Sequence, residues 1–131
     1  LYFSVLKGAT SLTGILIKNG ANVNMKVKQG RTALMKAVQQ GDIDGTKLLL
    51  AYGAEVNARD QNDWSILHWT ISDNDDEGAN VNPAIISTLV EAGADINAKD
   101  KNGMTPLALA EKLSRSNRDE LMELLKKHGA R

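Results

Sequence analysis

The chain has 131 residues, 42% hydrophobic and 24% charged, which suits one domain with a buried core and excludes a disordered or membrane class. Sixteen basic and sixteen acidic side chains cancel, so the basic footprint of a nucleic-acid partner is missing, and 4% aromatic content supplies few stacking platforms. Cysteine is absent, which removes disulfides and thiolate metal sites, and no apolar run approaches the roughly 18 residues of a membrane span.

Two markers repeat in step. Gly20-Ala21-Asn22-Val23-Asn24 recurs at Gly53-Ala54-Glu55-Val56-Asn57 and Gly93-Ala94-Asp95-Ile96-Asn97, and Gly129-Ala130 closes the chain; the spacings are 33, 40 and 36. Gly30-Arg31-Thr32-Ala33-Leu34, Asp63-Trp64-Ser65-Ile66-Leu67 and Gly103-Met104-Thr105-Pro106-Leu107 keep spacings of 33 and 40. A fixed step of this size signals a stacked-repeat architecture.

In chain order, a step of 33 sets Leu1 on Leu34 and Gly8 on Gly41. The first helix therefore starts without a hydroxyl cap and is expected to fray. Thr32 then precedes a helix with Leu34, Ala37 and Val38 on one face, its hydroxyl placed to cap the first turn. Gly41 breaks that helix, and Ile43, Thr46, Leu49 and Leu50 continue a second one. Gly53 ends it in the left-handed conformation that glycine tolerates. Val56 to Asp63 reads as a tight turn or small hairpin. Ser65 opens the next helix, with Leu67, Thr70 and Ile71 on its face. A polar, acidic insertion from Ser72 to Asn82 follows, and Pro83 starts the helix of Ile85, Ile86 and Leu89. Thr105 caps a helix with Pro106 at its first position. An elongated link from Leu113 to Arg118 leads to a last helix, Asp119 to Lys127, whose terminal charges complement its dipole. No such helix pair buries its apolar face alone, so side-by-side stacking is required.

The period near 33 and the segment Thr105-Pro106-Leu107-Ala108-Leu109-Ala110 resemble the ankyrin repeat and its T-P-L-H-x-A signature. Leu67-His68 matches it in the middle of the chain, and Thr32-Ala33-Leu34-Met35-Lys36-Ala37 matches with Ala for Pro and Met for His. The resemblance covers essentially the whole chain. It implies an all-α solenoid of helix-turn-helix units joined by β-hairpin loops. The units are a partial first repeat (1–26), a second (27–59), a third with an inter-helix insertion (60–99) and a C-terminal cap (100–131).

Chemistry-bearing residues are sparse. The resemblance implies that His68 knits adjacent turns through hydrogen bonds; His128, at a helix C-terminus, is expected to face solvent. Neither has a second ligand at zinc spacing. Ser65 or Ser72 beside His68 would start a catalytic triad, but no third member is implied. Asp73, Asp75, Glu77 and Gly78 begin like a calcium loop, yet its twelfth position, a bidentate Glu in such loops, is Ala84. Eight of the eleven glycines (Gly8, Gly20, Gly30, Gly41, Gly53, Gly93, Gly103 and Gly129) fall at repeat-fixed turns, which turn geometry explains without a phosphate cradle. No enzyme activity, cofactor or metal is expected.

Surface remains. The resemblance implies binding of a protein or peptide through hairpin tips and the inner face of the first helices, as a scaffold or adaptor. By position the tips hold Lys28, Gln29, Arg31, Gln61, Asn62, Trp64, Lys101, Asn102 and Met104, and the first helices Lys36, Gln39, Gln40, Trp69, Ser72 and Lys112. The partner-binding set is Arg31, Lys36, Trp64, Trp69, Met104, Lys28 and Lys101. Trp64 is either an exposed anchor, the residue type enriched at binding hot spots, or packing folded onto the neighbouring hairpin; Trp69 reads as half-buried core. Asn24, Asn57 and Asn97 are expected to bond the turn backbone. The alternative function is a regulatory ankyrin segment of a larger multidomain enzyme or signalling protein. A lipid or nucleic-acid role conflicts with zero net charge, although Lys26, Lys28, Arg31 and Lys36 make a modest basic patch. The chain is expected to be monomeric alone, with the cytoplasm as its default compartment.

Overall fold

The computed structural model describes residues 1–71, 82–113 and 118–131. Among them every regular element is helical: α1 (Tyr2–Leu6), α2 (Thr10–Lys18), α3 (Ala33–Gln39), α4 (Ile43–Ala51), α5 (Ile66–Ile71), α6 (Pro83–Glu91), α7 (Pro106–Glu111) and α8 (Arg118–Lys127), with a short 3-10 turn at Lys28–Gly30. The expected strands of the hairpin loops are not formed among the described residues. Each tip is closed by one backbone bond between its arms, Val27 N to Arg31 O (2.8 Å), Asp60 N to Trp64 O (3.2 Å) and Asp100 N to Met104 O (2.9 Å). A single bond across a tight turn is too short a ladder to make a strand.

The helix starts follow from their first residues. The Thr32 hydroxyl accepts from Met35 N at 3.3 Å, and that of Thr105 from Ala108 N at 3.2 Å. Asn82 accepts from Ala84 N ahead of Pro83. Ser65 differs: its hydroxyl bonds the His68 ring at 2.8 Å. Helix α1 lacks any side-chain cap, as expected, and is held instead by the buried hydroxyl pair Ser4 and Thr13, 2.8 Å apart. The eight turn glycines all have positive φ, between 66° and 99°.

Helices α1, α3, α5 and α7 pack in succession, and α2, α4, α6 and α8 form a second row behind them. One apolar cluster runs between the rows, from Val5 through Leu34, Leu49, Leu67 and Leu89 to Leu125. Burying a side chain of this size contributes on the order of 1.5–3 kcal/mol.

Neighbouring pairs are also tied by the asparagines. The side chains of Asn24, Asn57 and Asn97 bond the backbone of the next turn rather than of their own. Each donates Nδ2 to the carbonyl of the glycine ending the next pair, Gly53 (3.1 Å), Gly93 (3.0 Å) and Gly129 (3.3 Å). Each also accepts, through Oδ1, the N–H two residues further on, that of Glu55, Asp95 or Arg131. A parallel ladder runs from Lys26 Nζ to the Arg59 carbonyl (3.0 Å) and from Arg59 Nη1 to the Lys99 carbonyl (2.9 Å).

Candidate functional site

The tips lie side by side. Gln61 N donates to the Gln29 carbonyl at 2.9 Å, and Lys101 N donates to the Asn62 carbonyl at 3.2 Å. Asp60 and Asp100 set the geometry of their tips: Asp60 Oδ1 accepts from Asn62 N and Trp64 N, and Asp100 Oδ1 from Asn102 N and Met104 N. The tips thus continue the row of first helices, and several of the candidate residues meet there.

The Arg31 guanidinium sits over the Trp69 ring, 5.1 Å from its centroid. Trp64 meets Trp69 edge-on at 5.7 Å and stacks on His68 at 6.1 Å. The Lys112 ammonium reaches Met104 Sδ at 3.6 Å, and Lys36 Nζ bonds Gln39 Oε1 at 3.0 Å. Lys28 and Lys101 lie on the tips and are exposed. Trp64 is half-buried, and its ring packs on residues of the helix that follows it, His68 and Trp69. Trp69 is only 6% exposed, deeper than a half-buried position, and supports Arg31 and Trp64 from beneath. Gln40 turns away from the tips, its Nε2 donating to the Leu6 carbonyl. Ser72 and the string Asp73, Asp75, Glu77 and Gly78 lie outside the described residues.

His68 is fully buried. Its Nδ1 accepts from Ser65 N (3.1 Å) and the Ser65 hydroxyl (2.8 Å), so Nε2 carries the proton and donates to the Met104 carbonyl (2.8 Å). Both ring nitrogens are therefore committed, and Ser65 is buried as well. The Ser65–His68 pair has the distance of a nucleophile and its base, but it spends its hydrogen bonds on structure. Burial lowers the His68 pKa below its usual 6.5, against the opposing pull of the Met104 carbonyl and the Asp100 charge. His128, expected in solvent, is half-buried and lies 3.2 Å from Ser87 Oγ through Nε2.

The net charge of zero conceals a segregation. Residues 26–40, 59–71 and 99–112, which form the tips and first helices, carry eight cationic side chains and four acidic ones. Summing charge by element rather than over the chain would have revealed it.

Stacked helix pairs tied by repeating polar ladders, with one continuous edge of tips, define a helical repeat protein. A family model described as ankyrin repeats (3 copies) matches residues 1–100. The chain belongs to the ankyrin-repeat family. It is similar to the B-cell lymphoma 3 protein homolog of Mus musculus, 32% identical over 111 residues, which are 84% of this chain and 23% of that protein. It is similar to protein phosphatase 1 regulatory subunit 27 of Homo sapiens, 35% identical over 97 residues, or 74% of this chain and 56% of that protein. It is also similar to the putative ankyrin repeat protein FPV034 of Fowlpox virus, 32% identical over 125 residues, 95% of this chain and 27% of that protein. The chain thus spans from about a quarter to just over half of these relatives' lengths. Ankyrin repeats are in general protein-interaction modules. Among the described residues no helix is long and apolar enough to cross a membrane.

Proposed function

We propose that this domain is a scaffold or adaptor that captures a protein or peptide on the surface formed by its tips and first helices. On this reading the units 1–26, 27–59, 60–99 and 100–131 make one solenoid, and the recognition surface is its concave side. Arg31, Lys36, Trp64, Met104, Lys28 and Lys101 make the contacts, and Trp69 holds Arg31 and Trp64 in place. The observation that carries it is the run of contacts from Arg31 through Trp69 and Trp64 to His68, with the tip of Met104 bonded beyond. A surface built on packed rings and helix starts loses little entropy on binding.

The test is capture of partners from a cell lysate by the wild-type chain, Arg31→Ala, Lys36→Ala and, on the second row, Lys47→Ala, each with its helical signal checked. Partners should be lost with the first two variants and kept with the third. Equal capture by all of them overturns the reading.

A regulatory segment of a larger protein is the second reading. It is favoured by the similarity to protein phosphatase 1 regulatory subunit 27. The full-length gene product separates the two: a fused catalytic domain supports the second, and repeats alone support the first.

A further inference from the structure

We infer that the partner is an acidic peptide segment, lying extended across the tips of the proposed binding surface. The inference rests on that surface being the binding site and adds the chemistry of what it binds.

The first observation is which charges are already used. Of the four acids on the tips and first helices, Asp60 and Asp100 are committed to the backbone N–H groups of their own tips. Asp63 lies 3.8 Å from Arg59, which leaves Glu111. Of the cations, Lys26 and Arg59 are committed to the ladder of carbonyls. Lys28, Arg31, Lys36, Lys99, Lys101 and Lys112 have no carboxylate partner among the described residues. Among the described residues the surface therefore presents six cations against one acid. The other described residues are near balance, eight acids (Asp42, Asp44, Glu55, Glu91, Asp95, Asp119, Glu120 and Glu123) against seven cations (Lys7, Lys18, Lys47, Arg118, Lys126, Lys127 and Arg131), so among the described residues the cationic excess is confined to the tips and first helices.

The second observation is how the cations are held. Arg31 is stacked on Trp69, and its guanidinium N–H groups make no hydrogen bond among the described residues. A stacked guanidinium keeps its edge available for a two-pronged bond to a carboxylate. Among the described residues Lys36 bonds a neutral amide oxygen and Lys112 a thioether. Between these cations lie the half-exposed Trp64 and Met104. An acidic segment with an apolar side chain at its centre fits both features. Adjacent helices pack about 8–10 Å apart, so three tips span about 20 Å, which an extended chain crosses in about six residues. Single-stranded RNA is the weaker fit, because one half-exposed tryptophan is no row of stacking rings.

The experiment is selection from a displayed library of random peptides, about twelve residues long, on the immobilised full chain. Enriched peptides should be net acidic around an apolar residue. Their affinity should fall steeply with salt. It should also fall about tenfold or more with Arg31→Glu or Lys36→Glu and hold with Lys47→Glu. Enrichment of neutral or basic peptides overturns the inference, as does failure to enrich any, or tighter binding of polyuridylate than of the best peptide. The two proposals fail separately. If cellular partners are lost with Arg31→Ala and Lys36→Ala while the selected peptides are not acidic, the chemistry is wrong and the surface stands. Indifference of both partners and peptides to these residues rejects the surface itself.

Discussion

The starts of α3 and α5 present the same backbone problem and solve it with different atoms. At α3, Thr32 N donates to Met35 Sδ at 3.4 Å. At α5, Ser65 N donates to His68 Nδ1 at 3.1 Å. A thioether is a weak acceptor with nothing to donate onward, whereas an imidazole that accepts on one nitrogen donates from the other. His68 therefore reaches the Met104 carbonyl of the next tip, and Met35 stops within its own turn. One side chain thus decides whether a helix start is closed on itself or coupled to its neighbour.

The largest effects should show that the two pairs are nonetheless alike in their cores. Leu49 and Leu89 occupy matching positions and are both fully buried. Leu49→Ala and Leu89→Ala should each lose about 2–5 kcal/mol, read from urea unfolding midpoints. Leu16, the matching residue of α2, is only half-buried, and Leu16→Ala should cost clearly less. A wide gap between the Leu49 and Leu89 variants would show that the pairs differ in more than their polar links.

Exchanging the two side chains tests the polar difference directly. His68→Ala leaves a buried N–H of Ser65 without its acceptor and should cost about 1–3 kcal/mol. His68→Met should cost less, because sulfur can take the Ser65 N–H while only the link to Met104 is lost. Met35→His should gain about 1 kcal/mol if its Nε2 reaches the Trp64 carbonyl, which matches that of Met104. Equal unfolding midpoints for wild type, His68→Met and Met35→His would mean that the coupling adds nothing.

Acid should separate the pairs as well. The folded state keeps His68 neutral, so its pKa is lowered, and the unfolded chain takes up a proton first as pH falls. The stability that depends on neutral His68 is complete above about 6.5. It is lost as pH falls from there through the depressed folded pKa. The wild type should therefore unfold at lower urea at pH 5 than at pH 7.5, and His68→Met should lose less over the same change. An equal loss in both proteins would place the acid sensitivity elsewhere.

Much of this fold was legible because periodicity is a local signal. The step of 33 placed the turn glycines, all of which have positive φ, and the caps at Thr32 and Thr105. The reach of the asparagines was not legible. Spacing shows that Asn24, Asn57 and Asn97 recur, but only packing shows that each bonds the next turn. For the same reason Trp64 stayed ambiguous: a tryptophan before a helix start can lie open or fold inward. The site also hid behind a whole-chain sum, since the excess cations of the tips and first helices are cancelled by acids elsewhere in the sequence, four of them within positions 73–77.

The subtlest contrast concerns the tips. Gly30, Asp63 and Gly103 share one position, at φ 74°, 59° and 76°. Asp63 alone carries a side chain there, in a conformation that costs an L residue roughly 1–2 kcal/mol and aspartate less than most. It holds an exposed pair with Arg59 at 3.8 Å, the kind of contact that contributes little. Asp63→Gly should therefore stabilise the fold slightly, by about 1 kcal/mol or less. The reverse change is not its mirror image. A Cβ on Gly30 would stand 3.0 Å from Gln61 N and 3.3 Å from the Asp60 backbone. The bond from Gln61 N to the Gln29 carbonyl holds that backbone close. Gly30→Asp should thus cost more than Asp63→Gly gains, because it adds a collision between neighbouring tips to the unfavourable φ. Equal and opposite shifts in the two midpoints would show that backbone conformation alone sets these positions, and that the tips do not press on one another.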